Sequence, residues 1–567
     1  MNLSTWKWIA IALALSLFAT GIYYANTQQT TSSSTSKVSK QQRIELALED
    51  NERRTQDPAL GRATPERLID AIAETRRLQE EFSTRKNNLA KARFRERGPK
   101  NIGGRTRSIL IDANDPTRRT IFVGGVTGGL WKSTNITAAE PKWIKINDYL
   151  DNLSVGALAQ DPNDPQIIYM GTGESYTRAA GAGIFVSTDG GEDWKIIPST
   201  QTQGFRYTNA LLVHPSGDIY AGTNTGLYRS QDQGQTWEEI NMVGAGSIVY
   251  DIAYIEATNS IYISYQSSIH RSESGDTNDW EDLTDRTSGF PTNWTRTEVT
   301  ISPQNPNVMY AIGSIGGSVT DVYRTQTGGI AWQNVGKVGG IPDFTNGQAW
   351  YDLEIQVDPF NSQHVIAGGV PIFRSLDGAN TWSNFARNMH VDHHITLFDP
   401  EQRGVVYFGN DGGIYRSENG SANLIPERNA DYNVTQFYAG AIHPDPYTDY
   451  ILGGTQDNNS LQMDDFDIAN ARNVNGGDGM LCHIDQSDPQ YQIVSSQFGN
   501  YVLSTNGGKT FSGGAAVNGA FVNPSDYDND ANILYAQTFD GDLYRWRVPS
   551  GQPELMNVLG LDPEVAT

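Results

Sequence analysis

The chain has 567 residues, a formal net charge of −23, 57 Gly, 12 Trp, 26 Tyr and one cysteine. This composition suits many short strands joined by tight turns rather than a helical bundle, and the lone thiol, Cys482, excludes an intrachain disulfide, a cysteine-rich metal site and a redox pair. Residues 1–107 carry 19 Lys+Arg against 11 Asp+Glu and residues 108–567 carry 23 against 54; so acidic a body repels phosphate backbones and anionic lipid, which sets nucleic acid aside as a partner and leaves cations, neutral glycans or protein.

In chain order, Lys7 precedes an uncharged run from Trp8 to Ala25, long enough for a marginal membrane span and equally suited to a secretory segment. Residues 1–26 are therefore a signal anchor or a signal peptide. Either implies export, to the envelope or beyond it, with membrane contact through the N-terminus if the segment is uncleaved. Residues 27–42 form a polar linker rich in Thr and Ser. Residues 43–97 predict a helical stalk: Thr64 can cap a helix that has Pro65 at its first position, and Leu68, Ile72, Leu78 and Phe82 recur at helical spacing.

From residue 98 to 567 the chain is repetitive. "GGLWKS" (128–133), "AGIFVS" (182–187), "TGLYRS" (225–230), "VPIFRS" (370–375), "GGIYRS" (412–417) and "GDLYRW" (541–546) are variants of one phrase. With "SSIHRS", "TDVYRT", "NNSLQM" and "GNYVLS" they mark ten units. Each opens on a short apolar strand ending in a turn ("VGALAQDPNDP", "ITLFDPEQ"), continues with a second strand and then the phrase, and in most units ends on a Trp-containing strand. Four short strands in this span predict a propeller blade. The expected fold is all-β, a large β-propeller of about ten four-stranded blades in one ring, or a smaller ring with extra blades.

Three turns follow S-x-D-x-G-x-x-W spacing: Ser187, Asp189, Trp194; Ser230, Asp232, Trp237; and Ser375, Asp377, Trp382, the last with Ala379 in the glycine position. The Ser and Asp side chains satisfy backbone N–H groups of the turn and the Trp packs between blades, so these residues are read as structural.

On these turns, and on "RGPKNIGGRTRSILID", "GGVTGGLWKS", "YMGTGESY", "YDLEIQVDP", "VDHHITLFDP", "YFGNDGGIYRS" and "GGTQDNNS", the chain resembles the Asp-box (BNR) repeat family, and more closely the exported sortilin-type propeller proteins of Bacteroidota. The family also includes glycosidases, from which the chain departs. It lacks the F-R-I-P motif of sialidases, and where xyloglucanase-type enzymes carry an aspartate before I-G-G, "GVTGGLWK" places Val126. Classical glycoside hydrolysis needs two suitably separated carboxyls.

The first strand of each unit is expected innermost, its start at one mouth of the central channel. There Asp352, Glu354, Asn410, Asp411, Asp457 and Asp478 form a candidate ligand-binding set; Glu174 of "GTGESY", after a second strand, is a separate candidate against the reading that such glycine-rich turns occur in nearly every blade. In "MHVDHHITLFDP", strand alternation puts His390, Asp392 and His394 on one side and His393 on the other. Two imidazoles and a carboxylate suit a divalent cation, zinc here or calcium if the surrounding carboxylates bind instead; the competing reading is that these groups hydrogen-bond one another and exposed backbone. Arg105 and Arg107 are expected to anchor the stalk to the acidic body. Functionally the expectation is a non-catalytic propeller that binds a protein, peptide or glycan, with a glycoside hydrolase or metal-assisted hydrolase at the channel mouth as the rival.

Overall fold

The structure is a computed structural model that describes residues 40–83, 96–146, 152–241, 247–285, 287–419, 424–464, 470–549 and 553–556. Two compact units are present, residues 1–47 and 48–567; of the first, only the opening turns of helix α1 (Lys40–Thr55) are described. The expected signal segment, and the linker up to residue 39, lie outside the described residues. No helix among those described is long and apolar enough to cross a membrane.

A tight pairing of Gln56–Asp57 with Arg62–Ala63 links α1 to helix α2 (Pro65–Ser83). Asp57 holds this turn by accepting the N–H groups of Ala59 and Leu60. Helix α2 begins at Pro65 as its sequence predicts, because a proline there sacrifices no intrahelical hydrogen bond. Its contact with the body is made by Ile69, while Leu68, expected on the apolar stripe, is exposed.

Ten antiparallel sheets follow: blade 1 (106–145), blade 2 (155–196), blade 3 (208–240), blade 4 (249–282), blade 5 (296–336), blade 6 (354–384), blade 7 (393–417), blade 8 (437–475), blade 9 (479–516) and blade 10 (525–556). Among the described residues most are four-strand meanders; blade 5 has an additional short strand, and blade 7 has three strands and an isolated bridge from Tyr415 to Glu427. Second strands are buried along their length, as in Ile121–Gly125, Ile168–Thr172 and Ile219–Thr223, because each is covered on both faces by neighbouring blades.

The ten blades do not form one ring. Seven apolar layers fill seven seams, and the seventh joins Tyr407 and Ile414 of blade 7 to Ile109, Ile121 and Trp131 of blade 1. A glycine ending the second strand sits at each of several seams, where a side chain would strike the next blade. A Cβ on Gly124 would lie 2.5 Å from Val155, and one on Gly222 would lie 2.7 Å from Val249. On Gly409 of blade 7 it would lie 3.0 Å from Thr106 of blade 1, not against blade 8. Arg118 of blade 1 clasps Asp399 of blade 7 at 2.8 Å, closing the ring. Blades 8, 9 and 10 form a second series with their own seams, Leu452 and Tyr450 against Cys482 and Ile484, then Tyr501 against Tyr527 and Leu534.

In the turns between third and fourth strands the Ser and Asp side chains act on their own backbone. Ser187 Oγ accepts Gly191 N–H at 2.8 Å and donates to Asp189, whose carboxylate accepts the N–H groups of Glu192 and Asp193. The same pattern holds at Ser230 and Asp232 and at Ser375 and Asp377. Trp194 donates to Gly191 O; Trp237 and Trp382 pack against the adjoining apolar layers.

Candidate active site at the channel mouth

Inner strands of the ring line a channel that contains a cavity of about 230 Å³ to which all seven blades contribute. Several of these strands open on a β-bulge, between Thr106 and Ser108, Val155 and Ala157, Thr208 and Ala210, Val249 and Asp251, and His393 and Ile395. A bulge inserts one residue without a ladder partner and re-aims its side chain. The inserted residues are Arg107, Gly156, Asn209, Tyr250 and His394, and all of them line the cavity. Blade 8 repeats the device with Tyr438 between Phe437 and Ala439.

The His394 side chain is enclosed completely between two carboxyls, Nε2 hydrogen-bonded to Asp411 at 2.5 Å and Nδ1 3.5 Å from Asp352 without a hydrogen bond. Burial, reinforced by the Arg107 charge, holds this imidazole well below its ordinary pKa, so it is neutral. Asp411 also accepts the Tyr351 hydroxyl at 3.1 Å. Burial raises the Asp411 carboxyl to about 6, opposed by Arg105, His390 and Arg107. Asp352 and Asp392 hydrogen-bond to each other, and burial with that second carboxyl pushes Asp352 well above the carboxylate range. Two adjacent acids in a dry site share a proton rather than ionise together.

A second acid pair comes from the second blade series. The Asp457 N–H donates to Asp478 at 2.8 Å and the two carboxyls are also bonded; burial raises both well above the carboxylate range, aided at Asp457 by the Asp411 and Asp392 charges and at Asp478 by the Asp457 charge. Asp457 is the more open, its side chain 19% exposed, with Oδ2 3.8 Å from Arg105 Nε. Asn458 donates to the Asp411 carbonyl and His390 Nε2 lies 3.0 Å from the Asp457 carbonyl. The two blade series therefore meet at this mouth.

The structure thus gathers Asp352, Asp411, Asp457 and Asp478 into one cluster. Asn410 is consumed structurally, donating to His390 O and accepting Gly412 N–H, and Glu354 sits deeper, in the channel wall. The cation triad is corrected. The strand begins only at His393, Asp392 has φ +65°, and His394 is the bulge residue, so alternation does not align His390, Asp392 and His394. His390 is spent on backbone carbonyls, and among the described residues no group of three or more His, Cys, Asp or Glu is arranged to hold a metal ion. Arg105 and Arg107 do not anchor the helices. Arg105 donates to Gln436, and Arg107 pairs with Glu174 at 2.9 Å beneath the Tyr176 and Tyr351 rings.

Sequence reasoning missed Arg296, Glu298, Asp251 and Tyr176. Arg296 pairs with Glu298 at 2.8 Å, donates to the carbonyls of Ala349, Tyr351 and Leu353, and lies on the Tyr176 ring, as Arg107 does. Charged residues inside the otherwise apolar strands "RTEVTI" and "VYDIAYI" were the available signal.

No protein-family model matches the chain. A xyloglucanase of Acetivibrio thermocellus is 24% identical over 349 residues, which span 48% of this chain and 40% of that enzyme. Among solved structures, the GH74 xyloglucanase from Xanthomonas campestris superposes with a TM-score of 0.60 at 17% identity, covering 82% of this chain and 75% of that one. The GH74 enzyme of Niastella koreensis gives 0.58 at 17% identity, covering 83% and 75%. These likenesses support the propeller fold, and the relatives found overturn the expectation of a non-catalytic binding propeller: they are glycoside hydrolases.

Proposed function

We propose that the chain is an exported β-propeller glycoside hydrolase acting on a β-glycan of the xyloglucan kind, with its chemistry at the mouth where blades 7 and 8 meet. Convergence of acid pairs with a separate ionisable carboxyl carries this reading. Asp457, sharing a proton with Asp478 and the most open of the set, is the general acid that protonates the glycosidic oxygen; Asp411, steadied by His394, Tyr351 and Arg105, is the base that takes a proton from water. A base from blade 7 is consistent with Val126 in blade 1, a buried apolar residue where xyloglucanase-type enzymes place a carboxylate. The turns at Ser187, Ser230 and Ser375 support reading the repeats as Asp-boxes, with a role in holding blades together and none in catalysis.

Incubating the full chain with xyloglucan and a mixed-linkage β-glucan, and following new reducing ends, tests the proposal. Asp457→Asn and Asp411→Asn are each expected to lower kcat by roughly 10²–10⁴-fold, and wild-type activity to fall as pH drops through about 6, where Asp411 takes up a proton. Absence of turnover on both glycans, or full activity in both variants, refutes it.

A further inference from the structure

The channel wall also holds carboxyls that the proposed hydrolysis does not use. Arg107 is neutralised by Glu174 and Arg296 by Glu298. Two wall carboxyls are left over, Asp251 of blade 4 and Glu354 of blade 6, flanking the blade that carries Glu298. Among the described residues neither has an ion-pair partner. Glu354 is 5% exposed; its Oε1 accepts the Thr396 hydroxyl at 2.7 Å, while Oε2 is buried with no partner at all. Asp251 accepts only its neighbour's N–H, that of Ile252, at 2.8 Å. An unsatisfied buried carboxylate oxygen is costly, and two unpaired acids beside one cavity call for positive charge. The rest of the wall is mixed, Asn209, Tyr250, Gln356 and Thr396 alternating with Leu158, Leu211 and Ile355 around the same space.

We propose that the channel cavity is a binding site for a small primary ammonium compound, its N–H groups donated to Glu354 and Asp251 and its short alkyl portion in the remaining space. An ammonium group brings three donors on a compact cation, which matches two carboxyls with free acceptor positions. A directly coordinated metal ion is disfavoured, because no three-ligand set is present among the described residues. A cavity of about 230 Å³ admits a chain of a few carbons and excludes a sugar polymer. The site borders the hydrolytic one through His394, which lines the cavity and holds Asp411, but uses different acids.

The groups facing Glu354 are Arg296 and Glu298 from blade 5 and His394 and Thr396 from blade 7, with Asp251, Arg107 and Glu174 around the remaining wall. Burial raises Glu354 to about 8 and Asp251 to about 7. Binding of a cation is therefore expected to strengthen from pH 6 to pH 8.5, as the carboxyls lose protons while the amine keeps its own.

Titration calorimetry on the full chain with n-butylammonium chloride at pH 8, with n-butanol and calcium chloride as comparison probes, tests the site. Saturable one-to-one binding of n-butylammonium is expected, absent for n-butanol and weakened about tenfold or more in Glu354→Gln and Asp251→Asn. Glycan hydrolysis is measured in parallel, so that failure of one reading is separable from failure of the other. Melting curves identify any variant that does not fold, and Glu354→Asp, which keeps the charge but withdraws it, then serves in its place with the same expected loss. No saturable binding of n-butylammonium, binding that survives in these variants, or calcium binding tighter than the ammonium, overturns the proposal.

Discussion

Glu354 shows what one buried side chain does to the stability of the whole chain. Burial raises its folded-state pKa to about 8, whereas an unfolded glutamate titrates near ~4.3. A raised acid keeps in the native state a proton that the unfolded chain has released, so its stabilisation is complete below the unfolded pKa and is lost as pH rises through the folded one. In the absence of amines, the melting temperature of the wild type is expected to fall between pH 5 and 8 more steeply than that of Glu354→Gln; parallel curves would contradict this. At Ser187, fully buried, the hydroxyl satisfies the Gly191 N–H and orients Asp189. Replacing it with alanine strands that N–H and is expected to cost about 1–3 kcal/mol in denaturant unfolding, with glycan hydrolysis unchanged.

Elements here are short strands whose ends matter more than their middles. Alternation explains the middle of an inner strand such as Val155–Gln160, buried at every second residue. It fails at the openings, where bulges turn Arg107, Tyr250 and His394 into the channel. At the other edge of each pair, glycine admits the next blade. Gly409→Ala would put its Cβ 2.7 Å from Ile395 and 3.0 Å from Thr106, and such crowding at a packed seam is expected to cost about 1–3 kcal/mol. Equilibrium unfolding measures it, and a neutral substitution would show that blades 7 and 1 are not in contact there.

In the whole molecule, seven blades close on themselves and three more follow. The clasp between blades 7 and 1 is Arg118 on Asp399, a carboxylate that also accepts the N–H groups of Glu401 and Gln402. Removing the arginine leaves a buried carboxylate without its counter-charge, so Arg118→Ala is expected to destabilise the ring by about 3 kcal/mol. Hydrogen exchange should then rise at the seam, in 106–125 and 393–417, before it rises in blades 3 to 5. A uniform rise across the chain would argue against a local ring closure.

The sequence by itself determined the all-β class, the repeating strand units and the turn residues, because each is written in local periodicity. A blade repeats its pattern within a few dozen residues, and an inner strand carries its own apolar alternation. Tertiary structure alone decided which blades meet and what the mouth contains. Gly409 lies against Thr106, and His394 bonds Asp411 beside Asp352, neighbours supplied by other segments that no short window identifies. The bulges compounded this, since one inserted residue reverses the side on which every earlier residue lies. For that reason "HVDHH" read as a cation triad in a regular strand, and became in the folded protein a neutral imidazole held between two acids.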